Sequence, residues 1–111
     1  MTFEHQQLAS GRWFELTFFA QMSNIGSEVE RAIIWQPKNL DYSLKAFYRA
    51  LELLDLTLAD KKNNNRLREL ARVREALVDF FEGSNLFISS NHSWQSYFRP
   101  FNYAFSLERG L

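Results

Sequence analysis

The stretch that decides the fold is DYSLKAFYRALELLDLTL, residues 41–58. Apolar side chains recur along it every three or four residues, which is the spacing of one face of an α-helix. That line consists of Leu44, Phe47, Leu51, Leu54 and Leu58. Leu53 and Leu56 lie off the line, so apolar residues cover more than half of the helix circumference. We therefore expect residues 41–58 to form a central helix that is buried on two sides.

Helical periodicity continues before this segment. A first helix is predicted to start with Ser10 as its N-cap, to enter through Gly11 and to end at Trp35. Its apolar stripe consists of Phe14, Phe18, Met22, Ile25, Val29 and Ala32.

Two further helices are expected in the second half of the chain. After a polar loop at residues 60–65, Asn65 is placed to cap a third helix, and Gly83 is placed to end it in a left-handed conformation. Pro100 is expected to kink or split the fourth segment, whose aromatic residues are Trp94, Phe98, Phe101 and Phe105. The predicted fold class is all-α: one domain, residues 1–111, built as an up-down four-helix bundle with a Pro-kinked, aromatic-rich C-terminal helix.

The composition excludes several classes of function. The 111 residues are 46% hydrophobic and 23% charged, which is typical of a folded domain and not of a disordered chain. The absence of cysteine excludes disulfides, thiolate zinc sites and cysteine nucleophiles. Two histidines, His5 and His92, are too few for most transition-metal sites. With no phosphate-loop, dinucleotide or hydrolase motif, we expect a non-enzymatic protein without catalytic residues, metal or cofactor.

The sequence also carries an expectation about location. The first residues, Met1 to His5, show no basic segment followed by an apolar run, so no signal peptide is predicted. No apolar stretch is long enough to span a membrane. We expect a cytoplasmic protein with no membrane partner.

Charge is segregated along the chain, although 13 basic and 13 acidic residues cancel overall. Residues 61–74 contain six basic side chains and one acidic side chain, Glu69. A basic helix start can bind phosphate, which makes nucleic acid a possible partner, although such a run is usually a solvated face and no aromatic platform is interleaved with it. The predicted nucleic-acid contacts are Lys61, Lys62, Arg66, Arg68 and Arg72.

A polar flank on the first helix has two interpretations. Asn24, Glu28 and Arg31 recur at helical spacing beside the apolar stripe, and Gly26 between them allows another helix to approach closely. The favoured interpretation is an interhelical hydrogen-bond network, joined by Arg74 with Glu28 as its preferred partner. The alternative is a polar pocket around Asn24, Glu28 and Arg31, belonging to a small-ligand binder or an enzyme.

Apolar residues outside the predicted core indicate self-association. On the first helix, Leu16 and Ile34 project about 180° away from the core direction and Phe19 about 120°. The C-terminal segment adds aromatic side chains beyond those that one apolar stripe needs. A two-fold dimer would cover such surfaces; alternatively, the N-terminal segment or the last helix folds over them within one chain. The predicted interface consists of Leu16, Phe19, Ile34, Tyr97 and Tyr103.

Two segments resemble a known family. FAQMSNIGSE at residues 19–28 and DYSLKAFYRALELL at residues 41–54 are similar to helices of the four-helix-bundle family encoded in bacterial 23S ribosomal RNA intervening sequences. That family also includes the accessory variability proteins of diversity-generating retroelements. The resemblance implies a left-handed up-down bundle, ring-like homo-oligomers, and association with nucleic acid or a reverse transcriptase. Together these observations predict a self-associating interaction module that binds RNA or a nucleic-acid enzyme.

Overall fold

The computed structural model describes residues 11–110, which form four α-helices and no strand. The helices are α1 (Phe18–Trp35), α2 (Leu40–Ala59), α3 (Leu67–Glu82) and α4 (Asn91–Glu108). Short 3-10 helices at Arg12–Glu15 and Lys61–Arg66 precede α1 and α3. The all-α four-helix prediction is confirmed.

The start of α1 differs from the prediction. The N-cap is Thr17, whose hydroxyl accepts a hydrogen bond from the Ala20 amide at 3.1 Å. Before it, the chain forms a 3-10 turn that buries Trp13, and Leu16 is extended. Phe14 therefore leaves the predicted stripe and is exposed. The predicted cap Ser10 lies outside the described residues.

Both ends of α3 also differ from the prediction. Residues 61–66 form a 3-10 helix capped by the Asp60 side chain, and Arg66 precedes α3 without a side-chain cap. Asn65 is therefore not the cap. Gly83 is extended, with φ −104° and ψ −158°, so the predicted left-handed conformation at this residue is wrong. The left-handed residues of this loop are Asn85 and Ile88.

The last helix runs through its proline. α4 is continuous from Asn91 to Glu108, so the predicted split at Pro100 is wrong. Trp94 and Phe98 are buried ahead of the proline, and Phe101 packs against the core beyond it. These contacts on both sides offset the missing backbone hydrogen bond. The kink and the up-down arrangement stay predictions.

The core lies along α2, as the sequence predicted. This helix packs against α1, α3 and both 3-10 helices. Leu53 and Leu56, which lie off its main apolar line, are both buried, and Phe47 and Leu54 are fully enclosed. α1 also packs closely on α4, where Gly26 lies directly against the Phe98 side chain. By contrast, α3 and α4 have sparse contacts with each other, which leaves an open seam between them.

Candidate interaction face

The loop between α3 and α4 has an ordered backbone. The Asp79 carboxylate accepts hydrogen bonds from the Leu86 amide at 2.8 Å and the Phe87 amide at 3.0 Å. The Asn85 side chain binds both backbone groups of Ser89, at 2.8 and 2.9 Å. Backbone groups held in this way restrict the loop conformation.

This ordered loop exposes three consecutive apolar side chains. Leu86 is 81% exposed, Phe87 51% and Ile88 86%. Ile88 also has a φ of 56°, in the left-handed region that β-branched residues rarely adopt. The side chain of Ile88 therefore contributes little to the fold, while its backbone conformation is strained.

An apolar cleft opens beside the loop, along the seam between α3 and α4. Its volume is about 350 Å³. The Tyr97 hydroxyl donates to the Glu69 carboxylate across it at 2.9 Å, and burial and this hydrogen bond raise the pKa of Tyr97. The indole Nε1 of Trp94 is buried and has no hydrogen-bond partner among the described residues. The cleft is lined by Glu69, Arg72, Val73, Ala76, Phe87, Ser89, Ser93, Trp94 and Tyr97. We refer to this cleft and the Leu86–Ile88 loop together as the seam face.

Two of the five basic residues predicted to contact nucleic acid are engaged within the fold. Lys62 donates to the Asp60 carboxylate and, at 3.1 Å, to the Phe14 carbonyl. The Arg66 guanidinium lies 4.1 Å from the centre of the Phe18 ring.

The other three basic residues face solvent. Lys61, Arg68 and Arg72 are exposed and make no ion pair with a described residue. An open hollow of about 710 Å³ is lined by Asn65, Arg66, Arg68, Glu69 and Arg72. Because Arg72 and Glu69 also line the cleft, this hollow and the seam face are continuous.

The predicted polar network is only partly assembled. Glu28 pairs with Arg31 on its own helix at 2.8 Å and lies 3.5 Å from Arg49 of α2. The Asn24 amide donates to the Ala20 carbonyl of its own helix.

Arg74 does not join this network. It binds Asp55 at 2.7 Å rather than Glu28, because α3 packs mainly on α2. Its side chain is 37% exposed, so it is less buried than predicted.

Asn24, Glu28 and Arg31 do not line the groove of about 420 Å³ that lies along α1, because this groove follows the side of α1 that faces α4. It is lined by Gly26, Ser27, Val29, Glu30, Ile33, Trp94, Gln95, Phe98, Arg99 and Asn102.

The residues predicted to form an oligomer interface fall into two groups. Leu16, Phe19 and Tyr97 are half-buried and pack against the core of their own chain. Ile34 and Tyr103 are exposed. Of the five, Tyr97 lines the cleft of the seam face, and Leu16, Phe19, Ile34 and Tyr103 do not.

Sequence reasoning missed two features. One is the exposed Leu-Phe-Ile run, for which the signal was available: three consecutive apolar residues between Gly83 and Ser89. The other is a buried polar cluster that joins Trp13, Gln21, Thr57, Asp60 and Asn63. Sequence periodicity does not predict this cluster, because its members come from four separate segments of the chain.

Residues 11–110 contain no cluster of three or more acidic or histidine side chains placed to hold a metal, and no helix long and apolar enough to cross a membrane. Comparison of the chain with known protein families, curated proteins and solved structures gives no match. The geometry of the seam face is therefore the main guide to the function of this chain.

Proposed function

We propose that this chain is a non-enzymatic, cytoplasmic helical-bundle interaction module that self-associates. The observation that carries the proposal is the exposed Leu86–Ile88 loop, ordered by Asp79 and Asn85 and placed beside an apolar cleft. Contiguous apolar patches on the order of 300–600 Å² on a small domain are often binding surfaces.

The ordered backbone supports binding rather than a passive loop. A loop that is already in its bound conformation loses little entropy when a partner covers it. Apolar surface removed from water contributes about 25 cal/mol per Å² to association. Leu86, Phe87 and Ile88 are exposed apolar side chains that can contribute in this way.

Light scattering tests self-association. Over a range of about 1 to 100 µM, we expect the mass to approach a multiple of one chain, because that range covers the dissociation constants of moderate interfaces. A mass of one chain throughout would contradict self-association.

A second candidate function is binding of single-stranded RNA. It is favoured by the exposed Arg68 and Arg72 and by the aromatic side chains of Phe87 and Tyr97, which the fold brings next to Arg72. Phosphate contacts beside aromatic rings are typical of proteins that bind single strands.

Filter binding of a single-stranded RNA at several salt concentrations tests this candidate. Replacing Arg66, Arg68 and Arg72 by Gln should weaken binding and reduce the salt slope by about one unit per lost phosphate contact. Absence of affinity in the parent protein at low salt would remove RNA from consideration. Unchanged affinity in the variant would exclude these three arginines as its contacts.

A further inference from the structure

We propose that two copies of this chain pair across a two-fold axis through the seam face, each inserting its Leu86–Ile88 loop into the cleft of the other. This inference rests on the proposed self-association and names the surface that produces it. The partner is therefore a second copy of the same chain.

The first support is that one copy presents a protruding apolar loop and an apolar cleft on the same side. The loop carries Leu86 and Ile88 outward, and the cleft beside it is floored by Val73, Ala76 and Trp94. Two-fold symmetry makes such a surface self-complementary, because the loop of each copy meets the cleft of the other. A cleft of about 350 Å³ can accommodate aliphatic side chains from a partner.

The second support is the charge pattern along α3. Arg68, Arg72, Glu75, Asp79 and Glu82 follow one another at intervals of four and three residues, so they form one stripe of the helix. All five are exposed or half-buried. The stripe is basic in its first half and acidic in its second half, and Arg72 lies at the rim of the cleft.

A two-fold axis crossing the middle of α3 makes the two copies of this helix antiparallel. The basic half of each stripe then faces the acidic half of the other. In this register Arg68 lies opposite the partner's Glu82, and Arg72 lies opposite the partner's Asp79. Complementary charge of this kind fixes register and orientation.

The third support is the backbone of Ile88. Its left-handed conformation is one that glycine or asparagine would adopt with less strain. An isoleucine whose side chain is 86% exposed does not offset that strain within one chain. In the pair, the same side chain is buried in the partner's cleft.

The decisive experiment uses two charge-reversed variants and sedimentation velocity. One carries Arg68→Glu and Arg72→Glu, which makes its α3 stripe acidic; the other carries Glu75→Lys and Glu82→Lys, which makes its stripe predominantly basic. We expect each variant alone to dimerise at least about tenfold more weakly than the parent, and the equimolar mixture to form heterodimers. All four substitutions are at exposed positions, and far-UV circular dichroism confirms the fold.

A second pair of variants tests the loop. Ile88→Gly relieves the strained backbone and removes the inserted side chain, so we expect dimerisation to weaken by about tenfold while the monomer stays folded. Ile34→Ser is the matched control, because Ile34 is an exposed isoleucine outside the seam face. It should leave the dimer unchanged.

The outcomes separate the two proposals. A monomeric parent overturns both self-association and this inference. A dimeric parent whose dissociation constant is unchanged by charge reversal and by Ile88→Gly leaves self-association standing and overturns the seam face as its surface. Loss of the dimer in Ile34→Ser alone would place the interface on the α1 surface instead.

Discussion

Asn63 connects three parts of the chain through one buried side chain. Its amide donates at 3.0 Å both to the Gln21 side-chain oxygen and to the Thr57 carbonyl. Gln21 in turn donates to the Trp13 carbonyl at 3.1 Å and to the Asp60 carboxylate at 2.8 Å. Since every bond in this cluster is buried, the removal of one partner leaves others unsatisfied.

We predict that Asn63→Ala lowers the free energy of unfolding by about 2–4 kcal/mol, because it leaves the buried Gln21 side-chain oxygen without a partner and removes one of the two hydrogen bonds that the Thr57 carbonyl accepts. Urea denaturation measures the change. Asn64→Ala is the matched control: its side chain is exposed, so we expect a change within about 0.5 kcal/mol. Equal effects of the two substitutions would contradict the structural role of Asn63.

Asp60 makes the same cluster sensitive to acid. Burial alone would raise the pKa of Asp60, but hydrogen bonds from the Lys62 side chain, from Gln21 and from the Lys62 amide outweigh it and hold the pKa below its ordinary value. A carboxyl group with a lowered pKa in the folded state stabilises the fold above its unfolded pKa. That contribution is lost as the pH falls through the folded value.

We therefore predict that the parent protein loses more stability than Asp60→Asn between about pH 5 and pH 2. Urea midpoints across this range provide the measurement. Above about pH 5 the parent should be the more stable of the two, because only the carboxylate can bind Lys62 as an ion pair. Parallel pH profiles would show that the carboxylate of Asp60 does not contribute.

At the scale of elements, the packing of α1 on α4 depends on Gly26. A Cβ atom at this position would lie 2.9 Å from Phe98, closer than carbon atoms normally approach. Gly26→Ala would favour the helix by about 1 kcal/mol. The clash with the buried Phe98 side chain should exceed that gain, because the Phe98 side chain or α4 itself has to shift to relieve it.

We predict a net loss of about 1–2 kcal/mol for Gly26→Ala by urea denaturation, the overpacking effect being larger than the gain in helix propensity. Ser27→Ala is the control, since Ser27 is exposed and only binds the Ser23 carbonyl of its own helix. It should change stability by less than about 0.5 kcal/mol. An increase in stability for Gly26→Ala would mean that α4 can shift away from α1 without loss.

At the scale of the whole molecule, self-association couples stability to concentration. If only the folded chain dimerises, a tenfold increase in protein concentration should add about 1.4 kcal/mol per dimer to the apparent free energy of unfolding. We predict this dependence for the parent and not for Leu86→Asp, which places a charge in the seam face. Thermal melts at several concentrations test it, and identical melts for the parent at all concentrations would contradict dimerisation.

The sequence by itself determined the helical class, the presence of four main helices and the central position of residues 41–58. Periodicity is a local property, so each helix could be read from the spacing of its own apolar residues. The sequence also indicated that another helix approaches closely at Gly26, because a glycine beside an apolar stripe has no side chain to keep the neighbouring helix away. The exclusion of disulfides needed only the composition.

The tertiary structure alone decided which surfaces are covered. Arg74 pairs with Asp55 because α3 packs on α2, and Phe14 is exposed because the segment before α1 is a 3-10 turn that buries Trp13. The open seam between α3 and α4, the cleft and the exposed Leu86–Ile88 loop depend on how segments far apart in the chain are placed. Periodicity shows which face of a helix is apolar, but not whether another helix covers it, because burial is a property of packed pairs rather than of single helices.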